Sequence, residues 1–85
     1  NPIEGREKWL NQIAQKGYRL KSVSAASTFY KFEKSDKSYT YAVQYIGYMS
    51  NQERLEYQDF LKESDTFIVL SKDEIVNYHQ RVKRC

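Results

Sequence analysis

The chain has 85 residues, of which 29% are charged and 15% aromatic, and its formal net charge is +3. A chain of this length forms one domain with room for one sheet and a few helices, and it buries only about 60–65% of the surface that its unfolded form exposes. The net charge is below the basic density typical of a dedicated nucleic-acid-binding domain. Cys85 is the only cysteine, which excludes an internal disulfide and is consistent with a reducing compartment. The sequence shows no signal peptide and no apolar run near the roughly 20 residues of a membrane-spanning helix, so we expect a soluble domain.

Residues 1–6 allow two interpretations. Asn1 as N-cap, Pro2 at the first helical position and Glu4 three residues after the cap would together start a helix. Alternatively, the sequence IEGR within this segment matches a protease linker site of the kind that expression vectors add. No functional expectation depends on which interpretation holds.

A first helix is predicted to end at Gly17, because glycine readily adopts the positive φ that follows many helices. The residues before it place one apolar stripe at helical spacing, consisting of Trp9, Leu10, Ile13 and Ala14. Trp9 lies in the middle of this stripe. We therefore predict that its indole belongs to the core and not to a working site.

Three strands are predicted next, at residues 18–24, 28–34 and 39–46, from their alternation of apolar and polar side chains. Residues 35–38 have the polar composition of a hairpin turn. The second and third strands are therefore expected to lie side by side.

A second helix is predicted to begin at Ser50, where Glu53 three residues later completes a capping box, and to stop near Asp65. Residues 66–71 form a short continuous apolar run, typical of a strand that is covered on both faces. Residues 72–85 are predicted to form a C-terminal helix, since acidic residues lie at its start and basic residues at its end, as the helix dipole favours.

The element order α-β-β-β-α-β-α predicts a single domain, residues 1–85, of the α+β class. We expect a small antiparallel sheet of about four strands with both long helices packed on one face. This arrangement would make the protein a relative of the ferredoxin-like fold.

The run EKWLNQIAQKGYRLKSV, followed by FYKFEK, YTYAVQY and EYQDFLKES, resembles a bacterial family catalogued as domain of unknown function 2812. Two places depart from the family pattern: Ile13 stands where methionine is usual, and Asp65-Thr66 stand where a Gly-Trp pair is usual. The resemblance implies a cytosolic module of Gram-positive bacteria, often continued by membrane-spanning helices and often encoded near small transcriptional regulators. No activity or ligand is established for the family, so no functional residue is carried over. The matching positions are Glu7, Lys8, Trp9, Leu10, Ala14, Gly17, Tyr18, Leu20, Phe32, Glu33, Lys34, Tyr39, Tyr41, Tyr45, Glu56 and Tyr57.

No catalytic, cofactor-binding or metal-binding residues are predicted. His79, the only histidine, is expected on an exposed and charged helix, without neighbours at metal-ligand spacing. The carboxylates between Glu53 and Glu63 are expected to form a solvated helix face. The sequence contains neither a glycine-rich phosphate loop nor a nucleophile elbow, so we predict that the protein is not an enzyme.

An aromatic stripe is the sharpest candidate for a binding surface. If the helices cover it, its side chains belong to the core; if it is open, it suits a docking peptide or stacked bases. Base stacking would need interleaved basic residues, which the third predicted strand lacks. A protein partner or a second copy is therefore favoured over nucleic acid. The stripe consists of Tyr30, Phe32, Tyr39, Tyr41 and Tyr45.

A basic tail precedes the last residue and consists of Arg81, Lys83 and Arg84, followed by Cys85. One interpretation is a helix C-terminus that favours cations. The other is a juxtamembrane segment on the cytoplasmic side of spanning helices outside this sequence, where Cys85 could be acylated.

These observations predict a non-enzymatic, partner-binding or sensory module of a membrane-attached bacterial protein, located at the cytoplasmic face of the cell membrane and needing no cofactor. The alternative is a freestanding regulatory domain that binds a ligand or nucleic acid through the tyrosine-rich sheet face.

Overall fold

The computed structural model describes residues 2–84, which form two α-helices, one short 3₁₀ helix and six strands. In chain order these are α1 (Pro2–Gln15), β1 (Tyr18–Val23), the 3₁₀ helix (Ala25–Ser27), β2 (Tyr30–Lys34), β3 (Tyr39–Tyr45), α2 (Asn51–Glu63), β4 (Thr66–Ile68), β5 (Leu70–Ser71) and β6 (Val76–Val82).

The strands form two three-stranded sheets, with the orders β2-β1-β5 and β3-β6-β4. β4 and β5 are consecutive parts of one extended run, which passes from one sheet to the other at Val69. The pairings are antiparallel except for the parallel pair of β1 and β5. The α+β class is therefore confirmed, whereas one sheet with a ferredoxin-like strand order is not observed.

The predicted hairpin between β2 and β3 is wrong, because these strands belong to different sheets. β2 pairs with β1, and β3 pairs with β6 along its full length, from Tyr39 opposite Val82 to Tyr45 opposite Val76. A polar turn indicates where the chain reverses but does not select the partner strand. The segment at 35–38 therefore connects two sheets.

The predicted C-terminal helix at 72–85 is also wrong, since β6 is the central strand of its sheet. Val76 and Tyr78 are buried on the core side, which is the two-residue period of a strand. The charges at the two ends of the segment imitate the pattern of a helix dipole, but the burial of the residues between them selects the strand. Cys85 lies outside the described residues.

The main core lies between the two sheets and α1. Leu10 and Ala14 of α1 are buried in it, as predicted, beside residues from both sheets. The prediction that Trp9 belongs to the core is wrong, because Trp9 is 41% exposed. The ring lies edge-on to Tyr30 and Phe32, with centroid distances of 5.1 and 5.8 Å. Trp9 is therefore at the rim of the core.

The two helices lie on opposite faces of the β3-β6-β4 sheet, and the prediction that both share one face is wrong. Arg6 of α1 donates a hydrogen bond to the hydroxyl of Tyr78, at 3.3 Å. On the other side, the hydroxyl of Tyr57 in α2 is 3.5 Å from Nε2 of His79. Tyr78 and His79 are consecutive in β6, and consecutive strand residues point to opposite faces.

Side chains of α1 cover the outer edge of β3. The amide of Asn11 donates to the carbonyl oxygen of Tyr41 at 3.0 Å and accepts from the Tyr41 amide at 2.8 Å. The carboxylate of Glu7 accepts from the amide of Val43 at 2.7 Å. An open sheet edge is a template for pairing with another chain, and α1 occupies this one.

The buried side chain of Tyr41 connects the two sheets. Its hydroxyl accepts a hydrogen bond from the amide of Leu20 in β1, at 2.7 Å, and donates to Oε1 of Gln80 in β6, at 2.8 Å. Burial raises the pKa of Tyr41 above its ordinary value. The hydroxyl thus gives the Leu20 amide a hydrogen-bond partner beyond the short pairing of β1 with β5, which covers only Ser22 and Val23.

The first residues are part of α1. Pro2 opens the helix, and the side chain of Ile3 packs against the core, while Asn1, the predicted N-cap, lies outside the described residues. Within residues 2–84, neither helix combines the length and apolar content needed to cross a membrane.

Candidate functional site

The second helix forms one wall of a partly apolar cleft. α2 begins as predicted, with a capping box in which the Ser50 hydroxyl accepts from the Glu53 amide at 3.2 Å and the Glu53 carboxylate accepts from the Ser50 amide at 3.1 Å. Arg54 ties the helix to the sheet by donating to the carbonyl oxygens of Ile46 and Glu74, at 3.3 and 3.1 Å. The position of this wall is thus set by hydrogen bonds as well as by apolar packing.

We call the cleft between α2 and the β4–β5 run the α2 groove. It has a volume of about 440 Å³ and continues into a neighbouring cleft of about 660 Å³ beside Arg54. Its lining residues include Phe67 and Leu70, which are 59% and 75% exposed. The lining of the α2 groove combines apolar and polar residues, among them Gln58, Leu61, Phe67, Leu70, Asp73 and Asn77.

The α2 groove combines apolar surface with free amide groups. The side chains of Gln58 and Asn77 make no hydrogen bond to any group within residues 2–84. A side-chain amide both donates and accepts, so these two groups can bind a peptide main chain. Apolar lining with a few polar groups is the usual composition of a ligand site, and the volume lies within the usual range.

Asp73 lies in the lining of the groove, and hydrogen bonds fix the position of its carboxylate. One carboxylate oxygen accepts from the amides of Ile75 and Val76, at 2.9 and 3.1 Å, and the other accepts from the hydroxyl of Ser27. Ser27 and the preceding Ala26 both have positive φ, at 51° and 54°, a conformation that is uncommon outside glycine. The carboxylate of Asp73 therefore fixes this wall and has little capacity left for a ligand.

A buried polar cluster around Tyr78 adjoins this wall. The hydroxyl of Tyr78 contacts that of Ser27, that of Tyr30 at 2.8 Å and the guanidinium of Arg6 at 3.3 Å. Burial raises the pKa of Tyr78 to about 12, so the phenol stays neutral at physiological pH. The histidine of the chain lies on the opposite face of β6, so the cluster lacks an imidazole base for Ser27.

His79 is buried, and its predicted exposure is wrong. It lies beneath α2, with its ring centroid 5.6 Å from that of Tyr57, whose hydroxyl donates to the side chain of Gln44. Burial lowers the pKa of His79, and the negative charge of Glu7 opposes this shift only in part. Within residues 2–84, no cluster of His, Cys, Asp and Glu side chains could hold a metal ion.

The position of His79 predicts that acid destabilises the fold. Its pKa is lower in the folded chain than the ordinary 6.5, so the unfolded chain binds the proton more readily. Above pH 6.5, His79 should therefore not reduce the free energy of unfolding. As the pH drops from 6.5 toward the pKa of His79 in the folded chain, the free energy of unfolding should fall. Urea titrations at several pH values should show a smaller fall for His79→Gln than for the wild type. An equal fall in both proteins would contradict the role of His79.

The predicted aromatic stripe is divided between two sheets. Tyr30 and Phe32 of β2 are half-buried against the core, and so is Tyr39 of β3. Tyr41 is buried, whereas Tyr45 is exposed beside Tyr48 at a centroid distance of 6.2 Å. These residues do not form one open platform for stacked bases.

The basic tail is extended. Arg81 belongs to β6, and Lys83 and Arg84 follow it; all three side chains are exposed. Arg84 forms an ion pair with Asp65 at 3.1 Å. A helix dipole therefore does not explain these cations.

The carboxylates predicted to form a solvated face of α2 are exposed: Glu53, Glu56, Asp59 and Glu63.

No pattern in the sequence predicts the α2 groove. Residues 66–71 were expected to be covered on both faces, but Thr66 and Val69 are buried whereas Phe67 and Leu70 are exposed. The alternation is irregular because the run changes sheets at Val69. A continuous apolar run does not reveal such a change.

The comparisons with known proteins place the chain in one family. The model of the family described as "Protein of unknown function (DUF2812)" matches residues 2–83. No significant match to a curated protein or to a solved structure was found. The matched region contains both helices, both sheets and the α2 groove, and we conclude that the chain belongs to the DUF2812 family.

Proposed function

We propose that the protein is a non-enzymatic module that binds a peptide segment of a protein partner in the α2 groove. The observation that carries this proposal is a cleft of about 440 Å³ whose lining includes the exposed residues Phe67 and Leu70 and two free side-chain amides. Bulky apolar side chains in a pocket supply most of the binding energy of typical interfaces.

The peptide is expected to place one or two apolar side chains against Phe67 and Leu70. Its main chain would then lie within reach of Gln58 and Asn77, which can satisfy both a carbonyl oxygen and an amide. Cations and carboxylates are mixed around the cleft, among them Lys62, Asp73 and Glu74. An uncharged apolar segment therefore fits better than a strongly charged one.

We propose that this module works at the cytoplasmic face of the membrane. The exposed cations Arg81, Lys83 and Arg84 support this setting, because basic residues concentrate on the cytoplasmic side of membrane proteins.

Phe67→Glu is expected to weaken peptide binding strongly. Peptides selected from a random phage-displayed library against the wild-type protein should contain apolar anchors and shift the amide NMR signals of Gln58, Phe67 and Asn77. Their affinity should fall at least about tenfold in Phe67→Glu, since losing a hot-spot side chain costs about 2 kcal/mol or more.

Phe60→Glu is the matched control, because Phe60 is 61% exposed and lies on α2 outside the groove lining. Equal losses in the two variants, or NMR shifts confined to another surface, would contradict the proposal.

A further inference from the structure

The outer edge of β2 is open, in contrast to the covered edge of β3. β2 is the first strand in the order β2-β1-β5. The bonds from Ser24 N to Phe29 O and from Ser35 N to Gly17 O show that the odd-numbered residues of β2 face β1. The amides and carbonyls of Tyr30, Phe32 and Lys34 therefore point outward, because both groups of a strand residue face the same side. No group within residues 2–84 bonds to them.

We propose that a second copy of this chain pairs with this edge, so that two β2 strands join antiparallel across a two-fold axis at Phe32. The two sheets would continue as one, and the outward groups of Tyr30 and Lys34 would bond to those of Lys34 and Tyr30 in the other copy. Self-pairing of an identical surface is the usual form of a two-fold interface, and strand addition at an open edge is a common mode of association.

The charge pattern of β2 is complementary to itself. In this register, Lys31 of each copy lies opposite Glu33 of the other, and the two residues occupy the non-hydrogen-bonded position where side chains are closest. Glu33 also forms an ion pair with Arg19, with 2.7 Å between Oε1 and Nε. Part of the Glu33 side chain nevertheless stays exposed. Lysine on an edge strand often prevents pairing, but here each lysine would meet a carboxylate.

The aromatic side chains beside β2 also favour a second copy of the chain as the partner at this edge. Trp9 is 41% exposed and contacts the rings of Tyr30 and Phe32. A second β2 would bring its own Tyr30, Phe32 and Trp9 to the same side of the joined sheet, where they would cover the indole. This interface lies at the opposite edge of the β2-β1-β5 sheet from β5, which lines the α2 groove, and it does not depend on the function proposed for that groove.

Sedimentation velocity of the wild-type chain over a range of concentrations tests the proposal. We expect a reversible change from the 10.2 kDa monomer to a dimer, accompanied by a blue shift of the emission of Trp9, the only tryptophan. Lys31→Glu places two carboxylates opposite each other in both symmetric pairs, so the dimer Kd should rise about tenfold. The double variant Lys31→Glu with Glu33→Lys restores opposite charges and should recover dimerisation.

Two further variants separate this interface from other causes. Lys21→Glu changes the net charge equally on β1, away from the edge, and should leave the Kd within about threefold of the wild type. Lys34→Pro removes an outward amide that makes no internal bond, so the monomer should fold, as judged by circular dichroism, and fail to dimerise. A wild-type chain that is monomeric at every concentration would overturn the proposal. So would equal effects of Lys31→Glu and Lys21→Glu, no recovery in the double variant, or a dimer lost only in Phe67→Glu.

Discussion

Leu10→Ala is expected to lower the free energy of unfolding by about 2–5 kcal/mol. Leu10 is completely buried where α1 meets both sheets, so the shortened side chain would leave a cavity that the surrounding strands cannot fill. Small domains typically have a total stability on the order of 5–15 kcal/mol. The variant should therefore lose a large part of its stability, as urea unfolding followed by circular dichroism would show.

Leu55→Ala is the matched control for this substitution. Leu55 is also a helical leucine, but it is 59% exposed, and its truncation should change the free energy of unfolding by no more than about 0.5 kcal/mol. A similar change in both variants would contradict the position of Leu10 in the core.

Asn11→Ala is expected to have the second largest effect, because it removes both hydrogen bonds to the backbone of Tyr41. Leaving these groups without partners should lower the free energy of unfolding by about 1–3 kcal/mol. The uncovered edge of β3 should also promote association between chains, which light scattering during heating would detect.

Gln12→Ala is the appropriate control, since Gln12 is the exposed neighbour of Asn11 in the same helix. It should match the wild type in both measurements. If Asn11→Ala is as stable and as soluble as Gln12→Ala, α1 does not protect this edge.

Local signals in the sequence predicted the start of α2 and the end of α1. The capping box at Ser50 and Glu53 marked the start of α2, and Gly17, which has a φ of 95°, marked the end of α1. Both signals act within a few residues, so the neighbouring sequence is sufficient to read them.

The pairing of strands was harder to predict, because it depends on residues far apart in the chain. β6 resembled a helix in its charge distribution, and its role became visible only from its pairing with β3 and β4. His79 was expected at the surface for the same reason: a wrong helix assignment placed it on a charged face. The α2 groove depends on the sheet change at Val69, which no local pattern indicates.

The hydrogen bonds of Glu7 and Asn11 show how a helix can substitute for a strand. Four helical residues advance by about 6 Å, and two strand residues advance by about 6.7 Å, so the two repeats are nearly commensurate. Asn11 and Glu7 can therefore reach Tyr41 and Val43 in succession. The mismatch of somewhat less than 1 Å grows with every further turn, which limits such a substitution to a short stretch. A one-residue insertion between these two side chains would rotate one of them by about 100° and end the match altogether.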